Sequence, residues 1–203
     1  MDKQLLSEQL KTRTWHLHNQ LDHQPILKCL IAKDIDVVAY QKAMRCFHNC
    51  FVRWQLDFEQ AATLFLPPEF ARIDCQINSL KQDVAYSPNA SPEEALRPSA
   101  LKLQRLEDYL GYSYVMHGSH MGGKMIYKRL SQASALQGLP LAYFSALAHS
   151  RPAIEGWDVW KHQFDQYVEE HTLDPSAIID AAIDCFTQLV AWFADEHQFE
   201  PIS

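Results

Sequence analysis

His18 stands in the segment LKTRTWHLHNQLD, residues 10–22, where Leu6, Leu10, Leu17 and Leu21 recur at helical spacing and Thr14 shares their side. A neutral imidazole among apolar side chains is a good iron ligand, and such a surface suits a flat porphyrin. The same placement suits a core or interface histidine that bonds locally. Lys11 precedes His18 by two helical turns, about 10.5 Å along the axis, and would reach acidic groups on a ligand held there. It reads equally as a surface lysine near a helix end. His16 falls about 160° round the helix from His18 and is set aside.

The second feature is LGYSYVMHGSHMGGKMIYKRL, residues 110–130. Each glycine inside a helix costs about 1 kcal/mol relative to alanine, yet Gly118, Gly122 and Gly123 fall within an otherwise helical pattern. Gly118 and Gly122 share one face, as do Ser119 and Gly123. Together the four residues form a shelf almost without side chains. A flat ligand would lie on its backbone, and the helix would kink there. Close helix–helix packing and a turn between two helices explain the same spacing.

These residues need helices to position them, and the rest of the chain reads as helix after helix. The 203 residues, 47% hydrophobic and 21% charged, suit one globular domain over 1–203. The expected helices are about 3–22, 36–65 (stopped by Pro67-Pro68), 69–81, 99–130, 141–148, 157–170 and 175–196, the last with Asp174 as N-cap. Pro25 reads as a turn, 86–98 as loop with one helical turn at 92–96, and 137–140 and 152–156 as breaks. No segment alternates with period two, so the fold class is an all-α bundle.

The net charge of −7 argues against non-specific nucleic-acid binding. Five cysteines without a CxxC pair suit a reducing, cytoplasmic setting; Cys46 and Cys50 share a helical face and read as packing or as a metal pair. No uninterrupted apolar run long enough for a transmembrane helix or a signal peptide is evident, so no membrane partner is expected.

Three segments, in order and spacing, resemble the haem oxygenase family. LKTRTWHLHNQLD resembles its proximal helix, YVMHGSHMGG (114–123) its distal helix, and WKHQF (160–164) the start of a later helix. The distal segment is closest to the bacterial, biliverdin-producing form, including the enzymes that serve phytochromes. The resemblance implies an all-α, multi-helix fold with haem between the first helix and a glycine-kinked distal helix. It implies His18 as the iron ligand and Lys11 and Lys161 as propionate partners. Gly118, Gly122 and Gly123 would lie against the haem face, with Gly118, Ser119 and Gly122 nearest the chemistry. Haem would be both cofactor and substrate. Dioxygen and an external electron donor, such as a ferredoxin or a reductase, would open the ring to biliverdin, carbon monoxide and ferrous iron.

The chain departs from the family pattern at four positions. Ser119 replaces the aspartate of mammalian-type enzymes, as it does in related bacterial ones. His117 stands where those relatives usually have glutamate. His120 follows Ser119, either as a second axial ligand, as a distal donor, or turned away from the haem. Asp165 stands where mammalian-type enzymes have a basic residue, and an acid there would weaken propionate binding. Ser119 and His120 motivate a second reading, a haem-binding protein for storage, transfer or sensing. A di-iron bundle would need Glu-x-x-His pairs, and the sequence has none.

Overall fold

The computed structural model describes residues 4–85 and 100–194, and among them every regular element is helical. The α-helices are α1 (Leu6–Asp22), α2 (Pro25–Ile31), α3 (Val37–Phe65), α4 (Ile77–Ala85), α5 (Leu106–Leu130), α6 (Ala142–Ala148), α7 (Arg151–Glu155), α8 (Trp157–Glu170) and α9 (Pro175–Ala194). The expected loop at 86–98 and the end of the expected helix 175–196 lie outside the described residues, as does residue 3; the helix expected from there begins at Leu6.

Local signals account for several boundaries. Asp36 caps α3 by accepting the Ala39 backbone N–H at 2.7 Å. Leu66, left-handed at φ 48°, ends that helix before Pro67. Asp174 accepts the Ser176 N–H at the start of α9. Two helices stand where breaks were expected. Pro25 and Pro152 open α2 and α7, because a first-turn proline has no intrahelical N–H bond to lose.

The expected helix 69–81 is divided. A single 3₁₀ turn at Glu69–Ala71 gives way to extended chain, and α4 begins only at Ile77. Side chains of other helices hold the intervening backbone. The Ile73 N–H donates to the Tyr109 hydroxyl, and the Cys75 N–H to Gln55 Oε1. Tertiary hydrogen bonds there replace the helical ladder. Likewise α5 starts at Leu106 rather than near 99; Asp108 accepts the backbone N–H of Gln104 and Arg105 at its start.

The core is aromatic. Phe47, Trp54 and Phe58 of α3 pack against Tyr109 and Tyr112 of α5, Tyr143 and Phe144 of α6 and Phe193 of α9. Each such side chain, fully buried, contributes about 1.5–3 kcal/mol. Helix α9 packs on both α5 and α1. By length and mean hydropathy (1.5) it would cross a membrane, although the sequence reading expected no such segment. Its ten buried residues face the other helices, and Asp184 within it accepts from Gln188 and from the Tyr112 hydroxyl. The apolar character is that of a core helix.

Candidate functional site

Helix α1 has two flanks. Leu6, Leu10, Thr14 and Leu17 are buried, whereas Lys11, Trp15, His18 and Asp22 are exposed. His18 was expected within the apolar stripe; the structure puts it at the stripe's edge, with its side chain 49% exposed. The reason is angular. Relative to His18, Thr14 and Leu17 lie about 40° and 100° to one side, and Lys11, Trp15 and Asp22 about 20–60° to the other. The ring therefore lies against Trp15, stacked at 5.9 Å, and against Phe186 of α9 at 5.8 Å, with its outer edge open.

Asp22 Oδ2 lies 3.1 Å from His18 Nδ1. In the neutral ring a carboxylate on Nδ1 selects the tautomer with the proton there, which leaves the Nε2 lone pair free. That arrangement is the one a histidine needs to ligate a metal. Thr14, one turn earlier, is turned inward and donates to the Leu10 carbonyl at 2.8 Å.

Helix α5 runs without interruption through its glycines, so the cluster is neither a turn nor a break. The four residues of the expected shelf separate. A Cβ on Gly122 would meet nothing within 4 Å. Gly122 and Ser119 are exposed. A Cβ on Gly118 would lie 3.5 Å from Trp157, an ordinary contact. Gly123 is buried, and its Cβ would fall 2.6 Å from Leu147 of α6. Gly123 is therefore a packing glycine, because its face of α5 is the one α6 covers. The open surface is Gly118, Ser119 and Gly122. The Ser119 hydroxyl donates to its own helix, to the Met116 carbonyl at 2.6 Å.

A junction joins α1, α5 and α8. Asp165 of α8 accepts the Ser7 N–H at 2.8 Å and the Ser7 hydroxyl at 2.6 Å, and so holds the first turn of α1. The Tyr114 hydroxyl of α5 lies 3.5 Å from the Ser7 carbonyl, a long contact. Lys11 is one turn beyond Ser7, Lys161 one turn before Asp165 and Gly118 one turn beyond Tyr114. The charge of Asp165, expected to oppose an anionic ligand, is engaged with the N-terminus of α1. Lys161 pairs with Asp158 at 2.8 Å, and Asp158 is almost fully exposed. No hydrogen bond or ring contact joins His18 to the glycine face among the described residues; α9 packs against both of their helices.

The other side of α5 is closed. His120 is buried, and its Nδ1 lies 2.8 Å from the Ser150 hydroxyl, away from the open face. Burial lowers its pKa to about 4. His117 is buried against Trp160, 5.2 Å between rings. Burial first, and His120 second, lower its pKa to about 3, opposed by the nearby backbone of Ala71 and Arg72. The sequence reading missed the Asp22 contact and the role of Asp165. The i,i+4 spacing of His18 and Asp22 was the available signal for the first; the second had none, since Ser7 and Asp165 lie far apart in the chain.

The residues present fit a haem. His18 offers a half-exposed imidazole beside two aromatic rings, Gly122 leaves open space above its backbone, and Lys11 and Lys161 supply cations. The family model described as Heme oxygenase matches residues 4–195. No curated protein matches the chain.

Proposed function

The chain belongs to the haem oxygenase family, a family that binds haem as substrate, and on that premise we propose that it catalyses oxygen-dependent opening of haem to biliverdin. One observation supports this above others. An imidazole oriented by a carboxylate on α1 accompanies a helix face on α5 where an added Cβ at Gly122 would meet nothing. Bound haem supplies the iron that activates dioxygen and the porphyrin ring that is opened, with carbon monoxide and ferrous iron as the other products.

The protein's own residues then have separable tasks. His18 Nε2 ligates the iron, and Asp22 holds the ring and makes Nε2 a better donor. Lys11 and Lys161 anchor the propionates, each for about 1 kcal/mol, rising to about 3 if desolvated. Lys161 exchanges Asp158 for a propionate at little cost, since an exposed ion pair contributes about 0–1 kcal/mol. Gly118 and Gly122 admit the ring edge and dioxygen, and Trp157 bounds the face beside Gly118. Rotation of the Ser119 hydroxyl away from the Met116 carbonyl turns its proton toward the open face. Biliverdin production of the bacterial type, a cytoplasmic setting and a ferredoxin or reductase as electron donor complete this reading.

The back-bonded Ser119 also supports a second reading, haem binding without ring opening. One experiment separates them. Hemin is added to the full chain, followed by a ferredoxin reducing system, and the visible spectrum is followed in air. A bilin spectrum supports catalysis. A ferrous complex that only returns to the ferric state supports haem storage or transfer.

A further inference from the structure

His117 is the most conspicuous polar group that the proposed chemistry leaves unused. It is 7% exposed, and neither ring nitrogen makes a hydrogen bond. Two of the backbone acceptors beside it already hold a donor, and the backbone of Ala71 and Arg72 lies close enough to favour the protonated ring without meeting hydrogen-bond geometry. The Ala71 carbonyl accepts the Ser113 hydroxyl at 2.7 Å, and the Phe70 carbonyl accepts Trp160 Nε1 at 2.9 Å. A buried group without partners costs about 1–3 kcal/mol, so an unsatisfied histidine of this kind calls for an occupant.

The occupant has a place. His117 lines a crevice of about 210 Å³ between the Glu69–Ala71 turn, α5, α7 and α8. That volume holds several waters at roughly 30 Å³ each, or one molecule the size of a substituted ring. Phe70, Pro152 and Trp160 supply apolar wall. Trp160 presents an edge, because Trp157 and Phe164 stack against it at 4.8 and 5.0 Å. Arg72 and Arg151 also line the crevice, together with the carboxylates of Glu69 and Glu155, and both arginines are exposed. Arg72 pairs with Glu69 at 3.4 Å and Arg151 with Glu155 at 2.9 Å. Such exposed pairs contribute little and are readily exchanged, and a guanidinium binds a carboxylate through two parallel hydrogen bonds.

We propose that this crevice is a binding site for a small organic carboxylate with a hydroxyl at its far end. The carboxylate engages Arg72 and Arg151 at the exposed side, the body lies along Phe70 and Pro152, and the hydroxyl meets His117. Kept neutral by its burial, His117 offers one N–H donor and one acceptor nitrogen, both of which a hydroxyl can use. The site does not depend on the haem reading. It lies on the closed side of α5, separated from the Gly118 edge of the open face by Trp157 and Trp160.

The test is calorimetric titration of the full chain, with and without added hemin, using 4-hydroxybenzoate, benzoate and phenol as probes. We expect one molecule of 4-hydroxybenzoate per chain, with the same affinity in both forms. Benzoate, which lacks the hydroxyl, and phenol, which lacks the carboxylate, should each bind about tenfold more weakly, the equivalent of one lost hydrogen bond to a charged or buried partner. His117→Phe and the double variant Arg72→Gln/Arg151→Gln should each lose about tenfold. His117→Gln should keep most of the affinity. Should the variants fail to fold, the imidazole resonances of His117 in the unmodified protein must shift on titration. No saturable binding at millimolar probe overturns the proposal. So does binding indifferent to these residues, or binding that hemin displaces, which would place the probe on the haem face.

Discussion

Gly111 and Gly122 lie on one helix about three turns apart, and their surroundings are opposite. A Cβ on Gly111 would fall 2.4 Å from the Ile178 carbonyl and 2.8 Å from the Ala182 nitrogen, both backbone atoms of α9. A Cβ on Gly122 would meet nothing. The first glycine lets two helices approach; the second leaves a surface bare. Since a glycine costs helix stability at both sites, the packing at Gly111 explains its presence. Nothing in the folded protein's packing explains Gly122, and the proposed haem would. Gly123, against Leu147, belongs with Gly111.

The comparison breaks most sharply at Gly111. Gly111→Ala should destabilise the protein by about 3 kcal/mol or more, because backbone cannot yield as a side chain can. Urea unfolding measures it. A fully stable variant would show that α5 and α9 are not packed this closely.

The closed side of α5 also predicts acid sensitivity. His117 and His120 titrate near 3 and 4 in the folded protein, against an ordinary 6.5. Between those values the unfolded chain binds more protons, so stability is complete above about pH 6.5 and is lost as pH falls. The loss approaches about 1.4 kcal/mol per pH unit for each histidine. His117→Leu should remove one histidine's share of that slope between pH 6.5 and 5. An unchanged slope would mean that His117 is not buried as described.

Smaller effects separate the neighbouring glycines. Gly123→Ala should cost about 1–3 kcal/mol from overpacking against Leu147, with bilin yield per folded molecule preserved. Gly122→Leu should raise stability by roughly 0.8 kcal/mol while abolishing ring opening, because the new side chain occupies the bare face. Melting temperature beside bilin yield reads both variants. A Gly122→Leu protein that still makes bilin at the normal rate would remove that face from the site.

Much of this architecture was legible in the sequence because its signals are local. Asp36, Pro67 and Asp174 mark helix ends through their own backbone chemistry, and the apolar spacing of α1 set its buried flank. The segment 72–76 was not legible, since Gln55 and Tyr109, distant in sequence, hold it extended. Pro25 and Pro152 were ambiguous, because proline ends one helix and opens another with equal ease. The glycines show the same limit at the site. No local pattern distinguishes Gly122 from Gly123, which point to different neighbours because α6 covers one side of α5. The edge position of His18 follows from spacing that the sequence already carries, whereas its contact with Phe186 depends on how α9 meets α1.

If His18 on α1 holds haem, the Soret band of hemin-reconstituted protein depends on that side chain. Wild type and His16→Ala should give the same band with one hemin per chain. His18→Ala should lose it, and added imidazole should partly restore it. A His18→Ala protein with the wild-type Soret band would show that His18 is not the iron ligand.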